Sequence, residues 1–338
     1  MKYPINYITA AVFAAVSVVD AQAGGPLEIL RANGLGNYAD LLEFRAPLTL
    51  AKLIGRNDIT IFAPSNSVTP PANATLRRRD AIGEAIASQQ MTDDSPPPPK
   101  KRQAQLPDSN FQVRRTFLND PNFVNIGGEN LNIVTNYASP TTPGDVSADI
   151  EITTGFGNMV NATGEPIKFN AGIIYVVDSY FTFPGLLSET LATGGASSFV
   201  AAIRSENLLS KLDTTPRLTV FAPLSELASN DTVEGHVVYN FLGYTPRLVP
   251  GETYGGITIT KIGGQFFANG NRIVKSDVPI KNGVAHFVDN LVGSLNGTNG
   301  TSTGTPPPVP TGAAATLNGV FIRAFVPLGV GLWLWMVI

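Results

Sequence analysis

The chain has no cysteine and only two histidines, His236 and His286, in 338 residues. Without thiols there is no disulfide scaffold, no thiolate nucleophile and no Cys-ligated zinc or iron–sulfur centre. Two histidines rule out a His-rich metal site and confine any Ser–His–acid chemistry to one of two positions. Charge is sparse: Asp, Glu, Lys and Arg make up 14% of the chain and the formal net charge is -3. An electrostatic grip on nucleic acid is therefore not expected. The sequence has no Gly-x-Ser-x-Gly elbow, His-x-x-x-His pair, Walker loop or calcium loop, so no cofactor is expected. What is present is apolar, 43%, with 33 glycines and 26 prolines. That composition suits packed cores joined by many turns, and the length suits two domains.

Both ends read as processing signals. Lys2, an apolar run over 8–19 and then Ala21-Gln22-Ala23 predict a secretory signal peptide over 1–23, too short to span a bilayer. Residues 320–338 are almost wholly apolar but are broken by Arg323, which leaves fewer than the roughly 20 residues that a spanning helix needs. Upstream lie a Thr/Pro/Gly-rich stretch over 295–312 and the small residues Gly312, Ala313 and Ala314. This order predicts a stalk followed by a 313–338 tail that is exchanged for a glycolipid (GPI) anchor at Gly312, with Ser302 or Gly304 as fallback sites. A single-span helix and a buried tail are the alternatives. Secretion gives meaning to the Asn-x-Ser/Thr triplets at Asn73, Asn161, Asn230, Asn296 and Asn299, which mark a glycoprotein of the cell exterior.

The middle of the chain repeats. Ile59-Thr60-Ile61-Phe62-Ala63-Pro64 returns as Leu218-Thr219-Val220-Phe221-Ala222-Pro223. Asn170-Ala171-Gly172-Ile173-Ile174-Tyr175-Val176-Val177-Asp178 returns as Asn282-Gly283-Val284-Ala285-His286-Phe287-Val288-Asp289. Both blocks are rich in β-branched and aromatic residues and are bounded by turn formers, which predicts buried strands. Pro64 and Pro223 cannot extend a ladder, so the strands should end there. Helical stripes precede each first block: Leu41, Leu42, Phe44, Leu48, Leu50, Leu53 and Ile54, then Phe199, Val200, Ile203, Leu208, Leu209 and Leu212. Short strands at 257–262, 265–268 and 272–276 follow in copy two, and Asn269-Gly270 is a hairpin signal. Copy one is about 48 residues longer between its blocks. Arg77-Arg78-Arg79, four prolines at 96–99 and Lys100-Lys101-Arg102 predict a disordered insertion over about 77–108. Lys101-Arg102 reads as a solvated charge cluster or a dibasic processing site.

The two ordered blocks resemble the motifs of the fasciclin-type (FAS1) domain. The first motif corresponds to Thr60-Ile61-Phe62-Ala63-Pro64-Ser65-Asn66 and to Thr219-Val220-Phe221-Ala222-Pro223-Leu224-Ser225. The second is followed closely from Asn282 to Asp289, and less well from Asn170 to Asp178, with Ala171 for the glycine and Tyr175 for the histidine. A short His-containing motif that lies between them in the family matches Gly235-His236-Val237-Val238-Tyr239; copy one offers Val113-Arg114-Arg115-Thr116-Phe117, without His. The resemblance covers roughly 26–294. It implies an α+β fold of two tandem modules, each a wedge-shaped β-sandwich with a helical cluster, over 26–185 and 186–294. Phe62, Pro64, Asp178, Phe221, Pro223, His286 and Asp289 are the expected motif core.

Three functions are compatible with this reading. The first is a GPI-anchored surface glycoprotein of the plasma membrane or cell wall, acting in adhesion through matrix, wall glycans or cell-surface proteins. The resemblance links the His-Tyr neighbourhood of copy two to adhesion; the contact candidates are His236 and Tyr239 there, together with Asp277 and Ile280 of the 277–280 segment. The second is an extracellular carrier or sensor that binds a small apolar ligand in a groove beside one histidine. The third and weakest is a secreted hydrolase, which requires a Ser or an acid within reach of His236 or His286. A direct His286–Asp289 pair is disfavoured because residues three apart on a strand face opposite sides.

Overall fold

Pro26 can open a helix because the first helical N–H has no partner to lose, and the α1 helix (Pro26–Ala32) starts there. The α2 helix (Gly36–Phe44) and α3 helix (Pro47–Ala51) complete a helical layer. The computed structural model describes residues 24–69, 81–93, 111–137, 150–162, 164–226 and 232–292. The expected signal peptide, stalk and anchor tail with Gly312, the sequons at Asn73, Asn230, Asn296 and Asn299, and Lys101-Arg102 lie outside the described residues. Among the described residues no helix is long and apolar enough to cross a membrane.

The first repeat block forms the fully buried β1 strand (Ile59–Pro64). Helix α4 (Ala81–Gln89) and strand β2 (Met91–Asp93) follow, and β2 pairs antiparallel with β1. These two elements correct the expected insertion: 81–93 is structured and largely buried, with Ala85, Ile86, Ala87 and Met91 in the core. The polarity of the flanking sequence hid a short apolar helix. Strands β3 (Phe111–Thr116), β4 (Asn132–Tyr137), β5 (Ile150–Thr153), β6 (Met159–Ala162), β7 (Ile167–Phe169) and β8 (Gly172–Val177) complete the sheet. Its order is β1-β2-β3-β4-β5-β6-β8-β7, and β8 pairs back onto β1. The sheet thus folds over itself and encloses Phe62, Ile133, Ile150, Ile152, Val160 and Phe181. On the other side of β1, Leu30, Leu42, Ile61, Met91 and Ile174 pack with the helices. The helical stripe is only half used: Leu41, Leu42 and Leu53 are buried, whereas Phe44, Leu48 and Ile54 are exposed.

The second module repeats this order. Helices α5 (Leu187–Thr193), α6 (Ser197–Ser205) and α7 (Leu209–Thr214) lead into the fully buried β9 strand (Leu218–Pro223). Strands β10 (Val237–Val238), β11 (Thr253–Tyr254), β12 (Ile257–Ile262), β13 (Gln265–Ala268), β14 (Asn271–Ile280) and β15 (Gly283–Val288) follow. The sheet order is β10-β9-β15-β14-β13-β12-β11. Phe199, Val200, Leu218 and Ala285 lie in the helical core, and Phe221, Ile257, Ile259 and Val288 between the strands. Asn269 and Gly270 both take positive φ, 47° and 81°, in the two-residue turn between β13 and β14. This is the hairpin that the Asn-Gly pair predicts.

Candidate functional site

In each module the two repeat blocks pair as parallel neighbours in one register. Ile59 lies opposite Gly172 and Phe62 opposite Tyr175; Leu218 lies opposite Gly283 and Phe221 opposite His286. The glycine in each pair is dictated by contact: a Cβ there would sit 1.9 Å from the Ile59 carbonyl oxygen in one module and 1.9 Å from that of Leu218 in the other. Gly172, not Ala171, is therefore the counterpart of Gly283, and copy one has one extra residue before its strand. Phe62 stacks on Tyr175 with centroids 5.8 Å apart, and Phe221 stacks on His286 at 5.1 Å.

His286 is completely buried. Its Nε2 lies 2.8 Å from the Gly243 carbonyl, and its Nδ1 accepts the Asp277 N–H at 3.3 Å. One nitrogen must donate and the other accept, so this geometry selects the neutral Nε2–H tautomer. Burial pushes the His286 pKa below its ordinary 6.5, against opposing pulls from Asp277 and the Gly243 carbonyl. His236 is also fully buried. Its Nδ1 lies 3.2 Å from the Thr232 carbonyl, its Nε2 accepts the Val292 N–H at 3.2 Å, and its ring packs 5.2 Å from Phe199. Both imidazoles thus use their nitrogens on backbone groups inside a filled core.

The counterpart of His236 in the first module is Gln90. Met91 pairs with Ile61 as Val237 pairs with Val220, which puts Gln90 and His236 in the same position. Gln90 Oε1 accepts the Phe181 N–H at 2.7 Å, as His236 accepts that of Val292, and Gln90 Nε2 donates to the Phe62 carbonyl at 2.6 Å. The expected equivalent, 113–117, is a different strand, β3. The Gln-for-His exchange and the polar flanks concealed the match, while the strand partner of β1 reveals it.

Asp178 and Asp289, expected in the motif core, are exposed. Each clamps the adjacent strand: Asn161 N donates to Asp178 Oδ1 at 3.0 Å, and Arg272 N to Asp289 Oδ1 at 2.9 Å. Phe62, Pro64, Phe221, Pro223 and His286 are buried. Asn161 is half-buried and donates Nδ2 to Asp178 Oδ2 at 2.8 Å, so an N-linked sugar would share that nitrogen with the clamp.

The proposed contact region is mostly interior. His236, Asp277 and Ile280 are at most 1% exposed, which removes them from any surface contact. Asp277 takes a positive φ of 62°, and its carboxylate accepts the Thr245 N–H at 2.6 Å and the hydroxyls of Thr245 and Ser276. Strand alternation could not reveal this inward turn, because β14 carries register shifts before Val278. Tyr239 is half-buried and stays accessible. Lys211 Nζ lies 5.2 Å from its ring and 2.5 Å from Glu234 Oε1. That hydrogen bond holds the Glu234 carboxyl below its usual range and the Lys211 ammonium above its own. Among the described residues no cluster of His, Asp and Glu is placed to hold a metal ion.

No family model matches the chain. It is 26% identical over 161 residues to a fasciclin-like arabinogalactan protein of Cercospora beticola, covering 41% of this chain and 43% of that one. It is 25% identical over 162 residues to a fasciclin-like arabinogalactan protein of Arthroderma benhamiae, covering 41% of this chain and 37% of that one. The alignments thus span less than half the length of either relative. Among solved structures, a FAS1 domain pair from the insect cell adhesion molecule fasciclin I matches with 15% identity and a TM-score of 0.36, covering 79% of this chain and 98% of that one.

Proposed function

We propose, from the premise that the chain is a tandem of two fasciclin-type (FAS1) modules, that it is a lipid-anchored glycoprotein of the cell exterior that holds wall or matrix partners by weak, repeated contact. The observation that carries this reading is the duplicated register of the β1–β8 and β9–β15 pairs. It places both family motifs in equivalent surroundings in each copy. The apolar ends of the chain, the Thr/Pro/Gly-rich stretch and the five sequons support export and tethering. Many chains on one surface raise effective concentration, so a contact of low intrinsic affinity can still hold two surfaces together. With His236, Asp277 and Ile280 inside the fold, Tyr239 beside Lys211 and Glu234 is the accessible part of the second-module contact region.

Phosphatidylinositol-specific phospholipase C applied to intact cells, with mass analysis of the released C-terminal peptide, tests the anchor. Release is expected, with a terminal peptide that ends near Gly312. Recovery of a peptide containing Trp333 would sink the lipid-anchor reading. For the contact, Tyr239→Ala in the full chain should lower cell aggregation while far-UV circular dichroism stays native. Unchanged aggregation would exclude this face.

A further inference from the structure

The first module carries a second polar site that the fasciclin motifs do not touch. The end of α3, the end of β2 and the loop after β3 surround a cavity of about 310 Å³ lined by Lys52, Arg56, Asp93, Arg115, Asn119 and Asn130, with Phe117 at its wall. Asp93 is the organising group. Its Oδ1 accepts from Arg56 Nη2 at 2.7 Å and its Oδ2 from Arg115 Nη2 at 2.5 Å, with the Asp93 side chain 11% exposed. Arg56 is fixed further by Asp58 at 3.0 Å and lies 5.3 Å over the Phe117 ring. The guanidinium groups are therefore held in place before any ligand arrives, which reduces the ordering cost of binding.

Among the described residues, Lys52 and Arg115 supply the cavity's available cationic donors. Three cations face the cavity against Asp93, and Asp58 balances Arg56 from outside it. Lys52 Nζ sits 5.7 Å over the Phe117 ring and has no carboxylate partner among the described residues. Arg115 spends one N–H on Asp93 and keeps its other donors. The Lys52 ammonium attracts an anion, and a guanidinium fork such as that of Arg115 matches a carboxylate. The Asn119 side-chain amide makes no hydrogen bond among the described residues, while Asn130 uses Nδ2 on the Thr116 carbonyl at 2.6 Å and keeps Oδ1. Amide groups of this kind pair with hydroxyls as donor and acceptor. The volume lies at the small end of ligand cavities, roughly 300–1,000 Å³, which suits one sugar ring.

We infer that this cavity binds a single uronate residue of an acidic glycan, with its carboxylate between Lys52 and Arg115 and its hydroxyls on Asn119 and Asn130. The inference depends neither on the lipid anchor nor on the Tyr239 face, since it is measured on the soluble full chain.

Calorimetric titration of the purified full-length chain at low ionic strength tests it, with sodium glucuronate, glucose, sodium sulfate and a uronate trisaccharide as separate probes. Glucuronate should bind saturably, and glucose at least about tenfold more weakly. The trisaccharide should bind at least as tightly as the monosaccharide. Lys52→Gln should weaken glucuronate binding about tenfold, and Asn119→Ala should weaken glucuronate and glucose alike. Both side chains are exposed, so neither substitution should shift the melting temperature, and loss of binding cannot then be loss of fold. Equal affinity for glucuronate and glucose, sulfate binding as tight as glucuronate, exclusion of the trisaccharide, or an unchanged constant in Lys52→Gln would each overturn the assignment.

Discussion

The histidines act here as backbone connectors, and that fixes how the protein responds to acid. Protonating His286 would add a second N–H pointing at the Asp277 N–H, in a site already unfavourable to charge. Its folded pKa is depressed below 6.5, so the unfolded chain takes up the proton first as pH falls. The stability due to neutral His286 is complete above about pH 6.5 and is lost as pH drops through the folded pKa. One group of this kind limits the slope to about 1.4 kcal/mol per pH unit. Melting temperatures between pH 7.5 and pH 5 should therefore decline, and His286→Gln should flatten that decline while lowering the plateau. An equally steep decline in the variant would mean that another group carries it. At the equivalent of His236, Gln90→Ala should leave the Phe181 N–H and Phe62 carbonyl unpaired in the core, costing about 2–4 kcal/mol by urea unfolding. Gln90→His should cost less, because the second module uses His in the same place.

At the level of single elements, the repeated parallel pair is the part of the fold most open to reading. Phe-Ala-Pro ends a fully buried strand in both copies, and hydrophobic runs with a terminal proline show this without coordinates. Local pattern failed where contacts come from distant chain. The 81–93 segment is embedded between charged and proline-rich stretches, so only its pairing with β1 reveals it as the counterpart of the His236 segment. Phe44, Leu48 and Ile54 fit a helical stripe but face outward, because period alone does not show how wide a face the core covers. The burial of Asp277 depends on one positive φ and a break in register, neither of which side-chain alternation predicts. The glycine of the second block makes the sharpest test at this scale. Gly172→Ala would put a Cβ against the Ile59 backbone at a φ of 146°, and Gly283→Ala would put one against the Leu218 carbonyl. Each should destabilise its module by about 3 kcal/mol or more, or abolish soluble expression. Ala171→Gly, one residue away, should cost only about 1 kcal/mol; the reverse ranking would mean that the register is shifted by one.

Across the whole molecule, the two modules share a buried seam. Ile126 and Val134 from the first pack with Leu242, Tyr244 and Val284 from the second. Around them Asn125 N donates to the Lys281 carbonyl at 2.6 Å, Lys281 N to that of Gly185 at 2.8 Å, and Tyr244 Oη to that of Asn132 at 3.0 Å. Arg217 pairs with Glu129 at its rim. The repeat in the sequence announced two modules, but their union was not legible. The seam joins the loop residues Ile126, Leu242 and Tyr244 to Val134 of β4 and Val284 of β15, and their apolar character reads as local packing until the partner surface is known. Its depth predicts coupled unfolding. The intact chain should melt in one calorimetric transition, with calorimetric and van't Hoff enthalpies in agreement. Leu242 is 2% exposed and belongs to the seam rather than to either helical core. Leu242→Asp buries an unpaired carboxylate there at a cost of about 3 kcal/mol or more, and should split the melt into two transitions while far-UV circular dichroism stays native. A single, unshifted transition in this variant would show that the modules are stable without each other.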